Sequence, residues 1–165
     1  MSSTVAAGPA PATASATVPP DPAWRERIHA IFAAQGAMRA IDARLVLVEP
    51  GLCEIALPFA EHVSQQNGFF HGGVVGTVGD SAGGFAGYSL MPAGSNVLTT
   101  EYKMNLVSPA RGDWLIARGE VLKPGRTLTV TRVDVFVAAA PSEAARKLCA
   151  TLLQTLIRVD PPAAG

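Results

Sequence analysis

The chain has 165 residues with 13 basic and 13 acidic side chains, so its formal net charge is zero. That balance gives no electrostatic reason to expect DNA, RNA or an anionic membrane as the main partner. At 48% hydrophobic and 16% charged residues it is too apolar to be disordered throughout, and its length suits one self-sufficient domain.

Residues 1–20 carry no charge and contain only Met, Ser, Thr, Val, Ala, Gly and Pro. Such a stretch cannot bury enough surface to offset its chain entropy, so a disordered tail is expected. It has neither the basic start nor the continuous apolar run of a secretory signal. Residues 160–165 read as a second tail, which leaves a body over 21–159. Asp21-Pro22 reads as an N-cap followed by Pro at the first helical position. Trp24, Ile28, Ile31 and Phe32 then recur at helical spacing until Gly36 ends the helix. Strands are predicted over about 43–48 and 52–57, around the turn Glu49-Pro50-Gly51. A polar loop covers 60–70, and a Gly-rich segment covers 71–91.

After Gly94 the period changes. Leu98, Tyr102, Met104 and Leu106 alternate with Glu101, Lys103 and Asn105, the pattern of a half-buried strand. Further strands are expected at about 114–122, 127–137 and 147–159, with Pro124-Gly125 turning between the first two. One helix, two strands, a long central segment and four strands describe an α+β domain with an antiparallel sheet. Cys53 and Cys149 each stand alone in strand-like runs, spaced for neither a disulfide scaffold nor a zinc site. They point to a reducing, cytoplasmic setting. The sequence calls for no metal and no other cofactor.

Nine of the 16 glycines fall between Gly68 and Gly94. Gly79, Gly83 and Gly87, four apart, would suit a membrane helix pair, but Asp80 sits among them and the flanking segments alternate like strands. Gly79-Asp80-Ser81-Ala82-Gly83 matches the G-x-S-x-G elbow of serine hydrolases. That motif needs a His downstream of the Ser, and the three His (29, 62 and 71) all precede Ser81. No Gly-Lys-Ser/Thr or G-x-G-x-x-G phosphate loop is present. The favoured reading is a long central helix whose small residues let a sheet wrap closely around it. Each interior Gly costs about 1 kcal/mol relative to Ala, so several of them need such a packing reason.

Gln65-x-x-Gly68-x-x-His71-Gly72-Gly73, with Asp80 nine residues after the His, resembles the hotdog-fold thioesterases of the phenylacetic-acid-degradation (PaaI-like) type. Leu106-Val-Ser-Pro109-Ala and Lys123-Pro-Gly125-Arg126-Thr-Leu also look like that family's later strands. The resemblance spans roughly residues 30–158. It implies a curved antiparallel sheet around a long central helix (about 72–90), assembly as homodimer or homotetramer, and hydrolysis of acyl-CoA thioesters. It further implies that the Gly72 N–H receives the thioester carbonyl and that Asp80 attacks it or activates water. His71 would order the loop and polarise the site, and Gln65 would orient water or substrate. Thr99 falls where some relatives carry Ser or Thr near the water, and Gly68 and Gly73 would border the substrate. A non-catalytic acyl-CoA-binding module of the same fold is the competing reading, and a hotdog hydratase ranks behind it.

The chemistry suits these residue types. A thiol leaves without a strong general acid, so thioester hydrolysis needs chiefly a carboxylate and an oxyanion donor. A helix N-terminus supplies unpaired N–H groups and the positive end of a dipole. One such donor is worth about 3 kcal/mol in the transition state. Gly72 and Asp80 are eight residues apart, or roughly 12 Å along a helix. One helix cannot easily bring both to one carbonyl, so the active site is expected at a homodimer interface. Thr99 lies on the opposite alternation from Tyr102 and Met104, which argues against its sharing their face. Lys123, Arg126, Arg146 and Lys147 are left unassigned, since exposed basic residues are ordinarily solvated.

Overall fold

The structure, a computed structural model, describes residues 18–159, so most of the first tail and all of the second lie outside the described residues. Helix α1 (Trp24–Ala34) and the short α2 (Gly36–Ala40) lead into strands β1 (Arg44–Glu49) and β2 (Leu52–Pro58). A 3-10 turn (Glu61–Val63) precedes the central helix α3 (Gly72–Tyr88). Four strands follow: β3 (Asn96–Leu106), β4 (Trp114–Lys123), β5 (Leu128–Ala138) and β6 (Lys147–Val159). All pair antiparallel in one six-stranded sheet of order β1-β2-β4-β5-β6-β3, with α3 against one face. This is the expected curved sheet around a central helix, a hotdog fold.

The core lies between α3 and the inward positions of the strands. Val75, Val78, Ala82 and Phe85 of the helix meet Ile55, Leu57, Leu115, Val133, Val135 and Leu152 of the sheet. Inward and outward residues alternate along β5, where Thr129, Thr131, Val133, Val135 and Val137 are buried. Cys53 and Cys149 are unpaired and buried in this core, and burial pushes the Cys149 thiol up to about 11.

Three sequence expectations shift. Gly36 does not end the first helix; α1 stops at Ala34, extended Gln35 caps it, and Gly36 opens α2. Asp21 is not the N-cap. It precedes a turn before α1, accepting from the Ala23 N–H at 2.9 Å and pairing with Arg27 Nε at 3.0 Å. Most residues of β3 are exposed rather than half buried, because it is an edge strand with Leu98 and Leu106 on the open side of the chain.

Arg27 ties α1 to the far end of α3. Its guanidinium donates to the carbonyls of Met91 and Pro92, both at 2.9 Å, and stacks over the Tyr88 ring at 4.2 Å. Phe32 lies against Phe85, with centroids 5.8 Å apart. These contacts run α1 antiparallel to α3.

On the outer face of the sheet, buried Glu54 accepts from Arg118 Nη1 at 2.9 Å and Arg146 Nη1 at 3.0 Å. Burial raises its pKa, but the hydrogen bonds and charges of Arg146 and Arg118 outweigh that and hold it below 4.5. A carboxylate depressed on folding stabilises fully above its unfolded pKa, and that stabilisation fades as pH falls through the folded value. Glu54→Gln is expected to cost about 2 kcal/mol at pH 7 and to flatten the acid-side loss of stability, read by urea unfolding between pH 3 and 7. An unchanged acid limb in the variant would refute the role of this ion pair.

Candidate active site

The glycine stripe explains how α3 can lie so close to the sheet. A Cβ on Gly79 would come within 3.0 Å of Leu152. One on Gly83 would lie 2.8 Å from Val133 and 2.9 Å from Thr131, and would run into the Gln154 amide. From the other side, a Cβ on Gly119 of β4 would meet the Ala82 carbonyl at 2.5 Å. At Gly119 the backbone of β4 therefore lies directly on that of α3, while at Gly79 and Gly83 side chains of β5 and β6 press on the helix backbone. That packing offsets the propensity cost of glycine in the helix.

The approach sets Gln154 of β6 against Asp80. Gln154 is fully buried, and its Nε2 donates to Asp80 Oδ1 at 2.6 Å, to the Asp80 carbonyl at 3.1 Å and to Thr99 Oγ1 at 3.0 Å. Thr99 Oγ1 in turn donates to Asp80 Oδ1 at 2.7 Å. Behind them, buried Thr131 donates to Gln154 Oε1 at 3.0 Å, which fixes the amide's orientation. Asp80 Oδ1 thus holds two donors, while no partner among the described residues pairs with Oδ2. One oxygen is anchored and the other has no hydrogen-bond partner among the described residues.

At the other end of the helix, His71 is the N-cap of α3. Its Nδ1 accepts from the Gly73 N–H at 3.0 Å, and its backbone N–H donates to the Val63 carbonyl at 2.9 Å. A Cβ on Gly73 would lie 3.1 Å from that imidazole nitrogen, so glycine there makes room for the ring. Gly73 is thereby occupied by the cap. Gly72, the first helical residue, offers an N–H with no acceptor among the described residues.

The segment leading to His71 is a tight turn. The Gly68 N–H donates to the Gln65 carbonyl at 3.0 Å, and the Gln65 N–H donates to Phe69 at 2.9 Å. Gly68 has a φ of 75°, a left-handed conformation that glycine adopts without strain, and no atom lies near its absent Cβ. The Gln65 side chain accepts from the Asn67 N–H.

These residues form two groups. Gln65 and Gly72 line one cleft of about 410 Å³, walled by Phe69, Phe70, Val75 and Leu106. Asp80 and Thr99 line another of about 290 Å³, walled by Ile31, Phe85, Tyr88 and Leu98. His71 belongs with the first group as its cap. Within a single chain the structure does not bring Asp80 and Gly72 together.

Thr99 shares the helix-facing side with Tyr102 and Met104, against strict alternation. A bulge between Thr99 and Glu101 re-phases β3, so that Thr99 meets Asp80 while Tyr102 and Met104 reach Gly76. Sequence reasoning missed Gln154 altogether. Its signal was a single polar residue on the inward alternation Ala150, Leu152, Leu156, where an unpartnered amide would be costly. Among the described residues no three His, Cys, Asp or Glu side chains are grouped to hold a metal, and no helix is long and apolar enough to cross a membrane.

The profile of the "Thioesterase superfamily" matches residues 67–140. A thioesterase family protein of Silicibacter pomeroyi is 37% identical, with a TM-score of 0.79 over 84% of this chain and 99% of that one. The PaaI protein of E. coli, from the phenylacetic acid degradation operon, superposes with a TM-score of 0.72 at 17% identity over 82% of this chain and 93% of its own. A Bacillus halodurans protein solved with CoA has a TM-score of 0.58 at 23% identity over 64% of this chain and 66% of its own. Among curated proteins, "Putative esterase" of Halobacterium salinarum is 33% identical over 57% of this chain and 65% of its own length. The chain spans just under two thirds of the first curated relatives it matches.

Because Gly83 is where the Gln154 amide passes the helix, Gly83→Ala is expected to destabilise by about 2 kcal/mol through overpacking. Gly84→Ala, one residue on, faces open space and is expected to be neutral or slightly stabilising. Paired urea unfolding curves check this; equal midpoints for the two variants would contradict the packing account.

Proposed function

The chain belongs to the thioesterase superfamily, and on that footing we propose that it hydrolyses an acyl-CoA thioester to the free acid and CoA. The observation that carries the reading is the Asp80 carboxylate, with one oxygen held by Thr99 and Gln154 and the other open to a cleft. The CoA found in the Bacillus halodurans protein of this fold supports CoA as the carrier. The motif from Gln65 to Asp80 favours the PaaI-like type.

Asp80 Oδ2 either attacks the thioester carbonyl or takes a proton from the attacking water. The oxygen of the tetrahedral intermediate is met by the Gly72 N–H at the positive end of α3. Collapse breaks the carbon–sulfur bond and releases CoA as a thiolate that needs no strong acid; on the route in which Asp80 attacks, water then cleaves the Asp80–acyl anhydride, freeing the acid and restoring the carboxylate. His71 acts by closing the helix end and holding Gly72 in place. Gln65 borders the same cleft and orients water or the acyl-CoA there, with Gly68 shaping its turn and Gly73 giving the cap its space.

The two clefts complete each other between chains. Asp80 of one copy faces Gly72 of a second across a two-fold axis, in a homodimer that can pair further into a tetramer. The separation of the two clefts in one chain supports this, as does the long apolar edge strand β3, which a lone chain would leave open to aggregation. The buried, unpaired cysteines suit a cytoplasmic setting.

Asp80→Asn is expected to lower kcat at least 1,000-fold, as an order of magnitude, with the oligomer and its melting temperature retained. CoA release monitored with a thiol reagent checks this: near-wild-type turnover would refute the role of Asp80, and acyl-CoA binding without CoA release by the wild type would leave only a binding module.

Gly72→Pro removes the donor and sets its ring against Leu106, whose Cδ1 lies 3.2 Å from a Cβ at this position and must give slightly. The φ of proline suits the first helical position, and extended His71 accepts a following proline. Each variant is expected to be inactive by itself. Mixed and refolded together, they should regain about a quarter of wild-type activity, since half of the chains pair as hybrids with one intact site of two. Absence of recovery, or full activity in a strictly monomeric fraction, would sink the shared site.

A further inference from the structure

One glycine of α3 lacks the cause that accounts for the others. Only proline is a poorer residue than glycine inside a helix, so each interior glycine calls for a reason. A Cβ on Gly76 would lie 3.2 Å from the Tyr102 hydroxyl, and one on Gly79 or Gly83 would press on Leu152 or Val133. On Gly87 it would run into Leu156. At Gly84 no described atom lies within 4 Å of the place a Cβ would take, and the backbone there is ordinary right-handed helix. Neither packing nor backbone conformation within the chain asks for glycine at this position.

Gly84 forms part of the floor of the Asp80 cleft. Asp80, Ser81, Gly84, Phe85 and Tyr88 of α3 line it, and at 3.6 residues per turn they span an arc of about 140° with Gly84 inside it. One edge of that arc is Asp80, held to β3 by Thr99; the other is Phe85, packed on Phe32 of α1. A side chain at Gly84 would therefore rise between the two walls, where Ile31 and Val97 border the same space. The cleft's volume of about 290 Å³ matches about ten water-sized groups. That is room for a short acyl group and too little for the arm and nucleotide of CoA besides. Gly84 comes four residues after Asp80, roughly 6 Å along the helix, a span of about four or five carbon–carbon bonds.

Resting on the thioesterase reading, we propose that Gly84 is a specificity-determining residue, whose missing side chain leaves width for the acyl group one helical turn from Asp80. The substrate class is then a short acyl-CoA that carries its bulk, a ring or a branch, within about four or five bonds of the carbonyl. Such a group lies against the bare helix backbone and buries its apolar surface between Ile31 and Val97. A thin straight chain leaves part of that width unfilled and forfeits the contacts.

The test compares butyryl-CoA, which ends short of Gly84, with cyclohexylacetyl-CoA, whose ring reaches that level. In the wild type the ring substrate is expected to exceed butyryl-CoA in kcat/KM. In Gly84→Val that ratio is expected to fall at least tenfold, about 1.4 kcal/mol, because valine keeps one rotamer in a helix and does not swing its methyl groups aside. Gly84→Ala is expected to lower it by a smaller factor, at least twofold. Both substitutions replace glycine with a better helix former, and Gly84→Ala decides the matter alone should Gly84→Val lose its melting transition. A wild-type ratio below one overturns the proposal, as does a ratio unchanged in the variants. A proportional loss on both substrates overturns it too, because Gly84 would then serve Asp80 rather than the acyl group. So does a variant that light scattering finds smaller than the wild type, since the glycine would then make room for a second copy. If neither acyl-CoA releases CoA in the wild type, the thioesterase reading fails. The Gly84 proposal is then decided by calorimetric Kd values for the two unhydrolysed compounds, with the same ratios expected.

Discussion

The buried amide of Gln154 is the contact on which the site depends. It reaches Asp80 only because α3 lies almost backbone to backbone on the sheet, at Gly83 from the helix and Gly119 from β4. A methyl group at Gly83 would occupy the space of that amide. The glycine content of α3 is therefore a condition of holding the carboxylate in place. An ionised carboxylate in a partly buried position needs donors, and Gln154 and Thr99 supply two to a single oxygen. Thr131 then fixes which way the amide points, since its hydroxyl donates to the carbonyl end and leaves the NH2 end for Asp80.

The opposite ends of α3 are secured by different means. At the N-terminus the capping group is His71, whose imidazole satisfies one helix donor and leaves its neighbour exposed. At the C-terminus Arg27 reaches across from α1 to the carbonyls that follow the helix, and Asp21 holds the guanidinium from behind. That second clamp is also what walls the Asp80 cleft, because α1 carries Ile31 and Gln35 along the helix. Fold stability and pocket shape thus rest on the same interhelical contacts, so a change in α1 is felt in both.

Much of this was legible in the sequence, for reasons that can be stated locally. Strand alternation, the proline and glycine turns and the spaced Gln65, Gly68, His71, Gly72 and Asp80 each report on neighbours close in the chain or on one helix. What the sequence hid depends on register. Thr99 looked misaligned because the bulge before Glu101 shifts the phase of β3, and nothing in Leu98-Thr99-Thr100-Glu101 announces a bulge. Gln154 lies 74 residues from Asp80 and meets it through the order of the sheet, which periodicity alone does not specify. Gly36 was misread for a simpler reason: a glycine between helical residues can end one helix or begin another, and here Gln35 does the ending.

The edge position of β3 connects these features. A strand of 11 residues with Leu98, Tyr102 and Leu106 exposed invites a partner, and its far side is already paired to β6. Both clefts open beside this strand: Leu106 walls the one with Gly72, and Leu98 and Thr99 wall the one with Asp80. A second copy docking there would cover the apolar edge and close both clefts in one step. The proposed shared site then follows from a constraint of a single helix, whose rise separates its own donor from its own carboxylate by roughly 12 Å. Two such helices set antiparallel remove that separation, and the sheet edge is what would bring them together.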